Sequence, residues 1–197
     1  MARSIRQSRR LRERLGLLAA TTALFALSSA SRATVLRSQS IQSLTRSADM
    51  VVRAKVVSAT SLWRGSRIYT RVSVQVAERW FCGPSPIIRS SSCRAKQLDI
   101  WTLGGKVGRV EQKVFGAPRL RKGSDLVLFL SKRKGGLFVT GMAQGAFLLQ
   151  KRGATTWAVR RLGGVRWKGR PPAPRMPLHR LEALVRKALQ SRRGPRP

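Results

Sequence analysis

The sequence predicts a mainly β chain: a small antiparallel barrel with a short helix before it and an amphipathic helix after it. Three observations carry that expectation. In residues 51–57, Val52, Ala54 and Val56 point one way while Arg53 and Lys55 point the other, the period-2 signature of a half-buried strand. In residues 67–76 the alternation is longer, with Ile68, Thr70, Val72, Val74 and Val76 on one face and Arg67, Tyr69, Arg71, Ser73 and Gln75 on the other. Residues 125–130, Asp-Leu-Val-Leu-Phe-Leu, run apolar without alternation, as a central strand covered on both faces does.

The 197 residues suit one domain plus appendages, and Val, Ile, Leu and Phe are plentiful enough for a core. The anomaly is charge, with 41 Lys and Arg against 7 Asp and Glu. Residues 1–33 hold seven Arg and one Glu, so the rest keeps 34 basic and 6 acidic side chains, a net +28. Such a field attracts polyanions and opposes compaction. Arg outnumbers Lys 31 to 10 and the cations are spread along the chain, so compositional bias with solvated side chains is the favoured reading.

Residues 1–33 read as a secretory signal. Arg3, Arg6, Arg9, Arg10, Arg12 and Arg14 precede an uncharged stretch at 15–27, and Ser31 and Ala33 suit the small positions before a cleavage point. The apolar stretch is short of the roughly 20 residues that span a bilayer. We therefore expect an exported, periplasmic or secreted protein with no transmembrane segment after cleavage.

Taken in order, Ile41, Leu44 and Ala48 have helical spacing, with Ser40 as N-cap, and Asp49 makes the opening turn of the first strand. That strand is expected to end near Thr60, with a turn at 63–66. The second strand ends at Trp80-Phe81-Cys82-Gly83-Pro84, and a polar loop leads to Cys93. Two cysteines in an exported chain point to a Cys82–Cys93 disulfide. Leu98, Ile100 and Thr102 mark a third strand, broken by Gly104-Gly105, and 107–114 is a fourth candidate that Gly108 weakens. After a turn at 116–118 comes the central strand, then a hairpin turn at 132–136, a return strand at 137–140, and shorter strands at 146–150 and 157–161. The barrel is thus assigned to 34–162 and a basic Gly/Pro loop to 163–176. A helix follows at 177–190, with Pro177 in its first position and Leu178, Leu181, Leu184, Val185, Ala188 and Leu189 as its apolar stripe. A disordered tail is expected at 191–197.

Five or more strands, Gly-rich turns and flanking helices fit a closed or partly open barrel of the oligonucleotide/oligosaccharide-binding (OB) type, with an immunoglobulin-like sandwich as the alternative. Ser47-Ala48-Asp49-Met50-Val51-Val52-Arg53-Ala54-Lys55-Val56-Val57-Ser58 resembles the opening strand of tissue inhibitors of metalloproteinases and netrin-like modules. With the blocks at 116–130 and Gly141-Met142-Ala143-Gln144-Gly145-Ala146-Phe147, the chain also resembles a group of uncharacterised exported bacterial proteins over most of 34–150. The resemblance implies an OB-type fold. The inhibitors chelate zinc through an N-terminal Cys, whereas this chain has only Cys82 and Cys93, so that mechanism does not carry over.

Signs of catalysis are few. The stretch after residue 33 offers Asp49, Glu78, Asp99, Glu111, Asp125 and Glu182 and the single His179, with no nucleophile elbow, zinc motif or phosphate loop. Asp99 and Asp125 are expected as partners for Arg, and Gly104-Gly105-Lys106-Val107-Gly108 as a turn. Neither metal nor cofactor is expected, and the chain reads as a non-enzymatic interaction module. Its partner would be a protein, a protease or an envelope component; the alternative is an extracellular polyanion such as surface polysaccharide, lipid headgroups or DNA, not intracellular nucleic acid. For the polyanion, Trp157, Arg160, Arg161, Arg166, Trp167, Lys168 and Arg170 are the candidate residues, with Tyr69 and Trp101 as further stacking surfaces. Trp101 and Trp157 suit core positions equally well.

Overall fold

A computed structural model describes residues 35–83 and 90–192. The leader at 1–33, the middle of the polar loop at 84–89 and residues 193–197 of the tail lie outside the described residues. The strands are β1 (Val35–Arg37), β2 (Met50–Arg64), β3 (Arg67–Cys82), β4 (Gln97–Leu103), β5 (Gly105–Val107), β6 (Val110–Gln112), β7 (Asp125–Arg133), β8 (Gly136–Val139), β9 (Ala146–Arg152), β10 (Thr155–Arg160), β11 (Arg166–Lys168) and β12 (Arg175–Pro177). The helices are α1 (Ile41–Ser47), the single turn α2 (Ser90–Arg94) and α3 (Leu178–Arg192), with a 3-10 turn at Met142–Gly145.

The chain is mainly β, and eight strands form one sheet in the order β12-β10-β9-β7-β2-β3-β4-β8. β8 pairs with β4 in parallel and also with β7, antiparallel. The pairings therefore run β7–β2–β3–β4–β8 and back to β7, while β9, β10 and β12 extend outward from β7.

Side-chain parity on β7 explains its uninterrupted apolar run. Leu126, Leu128 and Leu130 face a core shared with Met50, Val52, Ala54, Val56, Val72, Val74, Leu98 and Ile100. Val127 and Phe129 point to the opposite face, where they pack with Val51, Phe147, Ala158 and the two longer helices. Phe129 and Phe147 meet at 5.8 Å between ring centroids, tilted by 50°. α1 begins where expected, because the Ser40 Oγ accepts the Ser43 N–H at 3.0 Å, a cap worth about 1 kcal/mol. α3 buries Leu181, Val185 and Ala188 beside Ile41 and Leu44. Each large apolar side chain taken out of water there contributes roughly 1.5–3 kcal/mol.

Several expectations need correction. β2 continues to Arg64, four residues beyond Thr60, because a register shift between Val56 and Ser58 reverses the alternation. The candidate strand at 107–114 is the hairpin of β5 and β6, divided at Gly108, whose φ is 58°. The loop expected at 163–176 contains β11, which pairs in parallel with β1, and most of β12. Pro177 closes β12 and the helix starts at Leu178. Leu184 is exposed and does not belong to the buried stripe. Ser191 and Arg192 remain helical, the Arg192 Nη1 donating to the Ala48 carbonyl at 3.2 Å.

Cys82 and Cys93 form the expected disulfide, a bond characteristic of oxidising compartments. No helix among the described residues is long and apolar enough to cross a membrane.

Candidate functional site

A groove of about 940 Å³ lies where the interior side of β3 and β4 opens beneath a strap formed by residues 113–121. Its floor carries Thr70 and Val72 from β3 and Thr102 from β4, side chains of the inward-facing series. Lys113, Arg119 and Arg121 of the strap and Arg161, just after β10, supply four cations to its lining. Glu111 is the one carboxylate among the lining residues.

Local sequence explains why the strap crosses there. Gly104 and Gly105 have φ of 96° and 140°, and a Cβ on Gly104 would stand 2.7 Å from the Gln112 carbonyl oxygen. Glycine thus lets the β5–β6 hairpin lie against β3. The Thr70 hydroxyl donates to the Gly104 carbonyl at 2.7 Å, and the Ile68 N–H donates to the Gln112 Oε1 at 2.8 Å. Further on, the Gly116 carbonyl accepts from the Ala143 N–H at 2.9 Å. Leu120 is buried in the inner core, and the Gly123 N–H and Ser124 carbonyl bond to Val56 of β2. The strap is fixed at both ends and at its middle, while Lys113, Arg119 and Arg121 are exposed.

Behind the strap the groove meets a recess of about 50 Å³. Leu126, Ala143, Ala146, Leu148 and Val159 give it apolar walls, and Arg119, Arg121 and Arg161 border both spaces.

The carboxylates are engaged elsewhere. The Asp49 Oδ2 accepts the Lys132 N–H at 2.8 Å, fixing the turn before β2. Arg53 links Glu78 at 2.8 Å and Asp125 at 2.9 Å, and these two carboxylates raise its pKa, the hydrogen bond to Asp125 chief among the causes. Asp99 accepts from the Ser73 hydroxyl, so the expected Arg partner is found for Asp125 and not for Asp99. Glu182 pairs with Arg186 one turn along α3. His179 is exposed in the first turn of α3. Among the described residues no group of three or more His, Cys, Asp or Glu side chains is placed to hold a metal.

Of the seven residues singled out for polyanion binding, Arg161 alone lines the groove. Arg160 is 5% exposed, with its guanidinium carbon 4.5 Å from the Phe147 ring centroid, so it offers no surface to a ligand. Burial lowers its pKa to about 10, and its Nε and Nη2 have no hydrogen-bond partner among the described residues. Trp157 is covered by the Arg175 guanidinium at 5.4 Å. Arg166, Trp167 and Lys168 form β11, with Arg166 and Lys168 exposed, and Arg170 is exposed beyond it. Trp101 and Tyr69 share one cation, Arg64, at 4.3 and 5.5 Å from their ring centroids. Sequence reasoning missed Lys113, Arg119 and Arg121; the available signal was a basic stretch around Gly116-Ala117-Pro118 with no strand or helix periodicity of its own. Comparison of the chain with protein-family models, curated proteins and solved structures found no match.

Proposed function

We propose that this protein is a non-catalytic, exported binder of acidic polymers. In this reading the ring of pairings β7–β2–β3–β4–β8 is an OB-type barrel, and the strap-covered groove at its mouth is the binding site. Five strands joined as a meander, β2-β3-β4, and a hairpin, β7-β8, suit the Greek-key barrel of that type. The kinship with netrin-like modules rests on residues 47–58, and that with the exported bacterial group on the blocks at 116–130 and 141–147.

The observation that carries the function is the convergence of Lys113, Arg119, Arg121 and Arg161 on one groove, none of them in a salt bridge among the described residues. A concave site lined by one sign of charge concentrates counter-ions of the other. Export is supported by the disulfide and by the basic-then-apolar leader. The non-catalytic reading is supported by the structural engagement of five carboxylates, which leaves Glu111 by itself beside the groove.

Salt dependence provides the test. Affinity for fluorescein-labelled polygalacturonate, followed by anisotropy from 25 to 200 mM salt, should fall log-linearly. The triple replacement Arg119→Gln, Arg121→Gln and Arg161→Gln should reduce the slope by about 2–3, from roughly 0.7–0.9 per neutralised contact. An unchanged slope in a folded triple variant would remove the groove from the function.

A further inference from the structure

We infer that the groove discriminates among acidic polymers by their substituents, taking an acidic polysaccharide that carries short acyl groups. This deepens the reading just given and rests on it. Anion attraction alone needs only exposed cations, yet Arg119, Arg121 and Arg161 stand at a boundary with a basic groove on one side and an apolar recess on the other. Apart from Ser124 and the three bordering guanidiniums the recess walls are aliphatic, contributed by β7, the 3-10 turn, β9, β10 and Pro118 of the strap. At about 50 Å³ it has room for roughly four water-sized groups. That suits an acetyl ester and is far too small for a fatty chain. A ligand filling both spaces has a carboxylate or another acidic group within reach of three guanidiniums and a two-carbon acyl arm beside it.

Aromatic surfaces separate a polysaccharide from single-stranded nucleic acid. Bases bind by stacking on open rings, but Tyr69, Trp101 and Trp157 are covered by the protein's own Arg64 and Arg175. In the groove itself the one aromatic residue is Phe115, exposed with Lys113 at 5.5 Å from its centroid, a single ring and not the row of platforms that successive bases stack on. A lipid headgroup would bring chains that the recess has no room for.

The experiment compares O-acetylated polygalacturonate with the same preparation after mild de-esterification, matched in chain length and in charge per sugar, using the full protein at fixed salt. The acetylated polymer should bind about fourfold tighter, the gain expected for one methyl-sized group moved out of water. Ala146→Leu, which adds bulk to the recess wall, should bring the ratio of the two affinities to about one. The wild-type comparison decides the matter even where that variant folds poorly. Equal affinity for the two polymers would overturn the inference while leaving the basic groove as a polyanion site. Tighter binding of single-stranded DNA than of either polysaccharide would overturn it too. Failure of every polymer to bind would remove both readings together.

Discussion

Arg160→Met should stabilise the protein, even though it deletes a buried side chain of β10. The guanidinium is 5% exposed, and its Nε and Nη2 have no partner among the described residues. Burial pushes its pKa well below the ordinary arginine value, down to about 10. At 1.36 kcal/mol for each pH unit, holding the charge there costs the fold about 3 kcal/mol. Stacking on Phe147 at 4.5 Å returns up to about 2 kcal/mol in a desolvated setting. Methionine, three heavy atoms shorter, follows the aliphatic stem about as far as the Nε position, removes the unpartnered donors and leaves a flexible, polarisable end to pack towards the ring. The net expectation at pH 7 is a gain of about 1–2 kcal/mol, a rise in Tm of roughly 2–8 °C for a domain of this size.

The pH dependence has a definite sign. The folded state releases the Arg160 proton at lower pH than the unfolded state, so this group's contribution makes wild-type stability rise above about pH 10 as the penalty disappears. The advantage of the Met variant is therefore full below pH 10 and shrinks above it. Paired urea titrations at pH 7 and pH 11 read both quantities, and Lys and Tyr titration common to the two proteins cancels in the difference. A Met variant less stable than wild type by 1 kcal/mol at pH 7 would refute the reasoning, because it would mean that the guanidinium is satisfied where it lies.

Two further expectations concern tethers. Replacing Cys82 and Cys93 together by Ser opens a loop of separation 11 whose ends lie against the inner core; chain entropy alone sets the loss at about 2–3 kcal/mol, read as a lower urea midpoint, and a loss under 1 kcal/mol would contradict it. Gln144→Leu removes both the acceptor of the Gln39 N–H, at 2.8 Å, and the donor to the Arg37 carbonyl, at 3.1 Å. Orphaning those groups should cost about 1–3 kcal/mol and speed amide exchange at Gln39, whereas unchanged exchange would show that the clamp is dispensable.

What the sequence disclosed was what local periodicity can carry. Residues 125–130 announced a strand covered on both faces because neither parity of β7 reaches water: three leucines enter one core while Val127 and Phe129 enter the other. Residues 68–76 were legible because one face is dry and the other wet. The last third of β2 was not, since the register shift at Val56/Ser58 exposes Val57 and turns Ser58, Thr60 and Leu62 to the side that Arg53 and Lys55 had occupied. A two-residue repeat cannot be followed through such a shift. The pairing of β1 with β11 lies further from reach. Three residues at 35–37 meet three at 166–168, neither long enough for a pattern, and the join depends partly on the buried Gln144, which reads locally as one polar residue in a Gly-rich turn. The groove failed to show for a related reason. Its cations come from residues some 40 positions apart in a chain where nearly every stretch is basic, so only folding distinguishes Arg119 and Arg121 from the rest.

The surplus charge leads to a last step. Among the described residues, salt bridges involve only Arg53 and Arg186 as cations. Internal neutralisation by carboxylates therefore does not balance a chain with so few of them. Aromatic faces take over part of that role: Arg64, Arg160, Arg175 and Arg192 each lie over a ring of the protein's own, at 4.3 to 5.5 Å. These contacts hold guanidiniums in place without cancelling their charge. Most of the other described cations are exposed, and in water their repulsion is screened beyond about 8 Å at physiological salt. The strap is the exception, because three of its side chains and Arg161 border a single concavity where neighbouring like charges are brought close. On the proposed reading, an anion held there would offset that concentration and raise stability by mass action. Charge spread over the surface asks for no ligand; on the proposed reading, a basic cluster held on a fixed strap would be relieved by one.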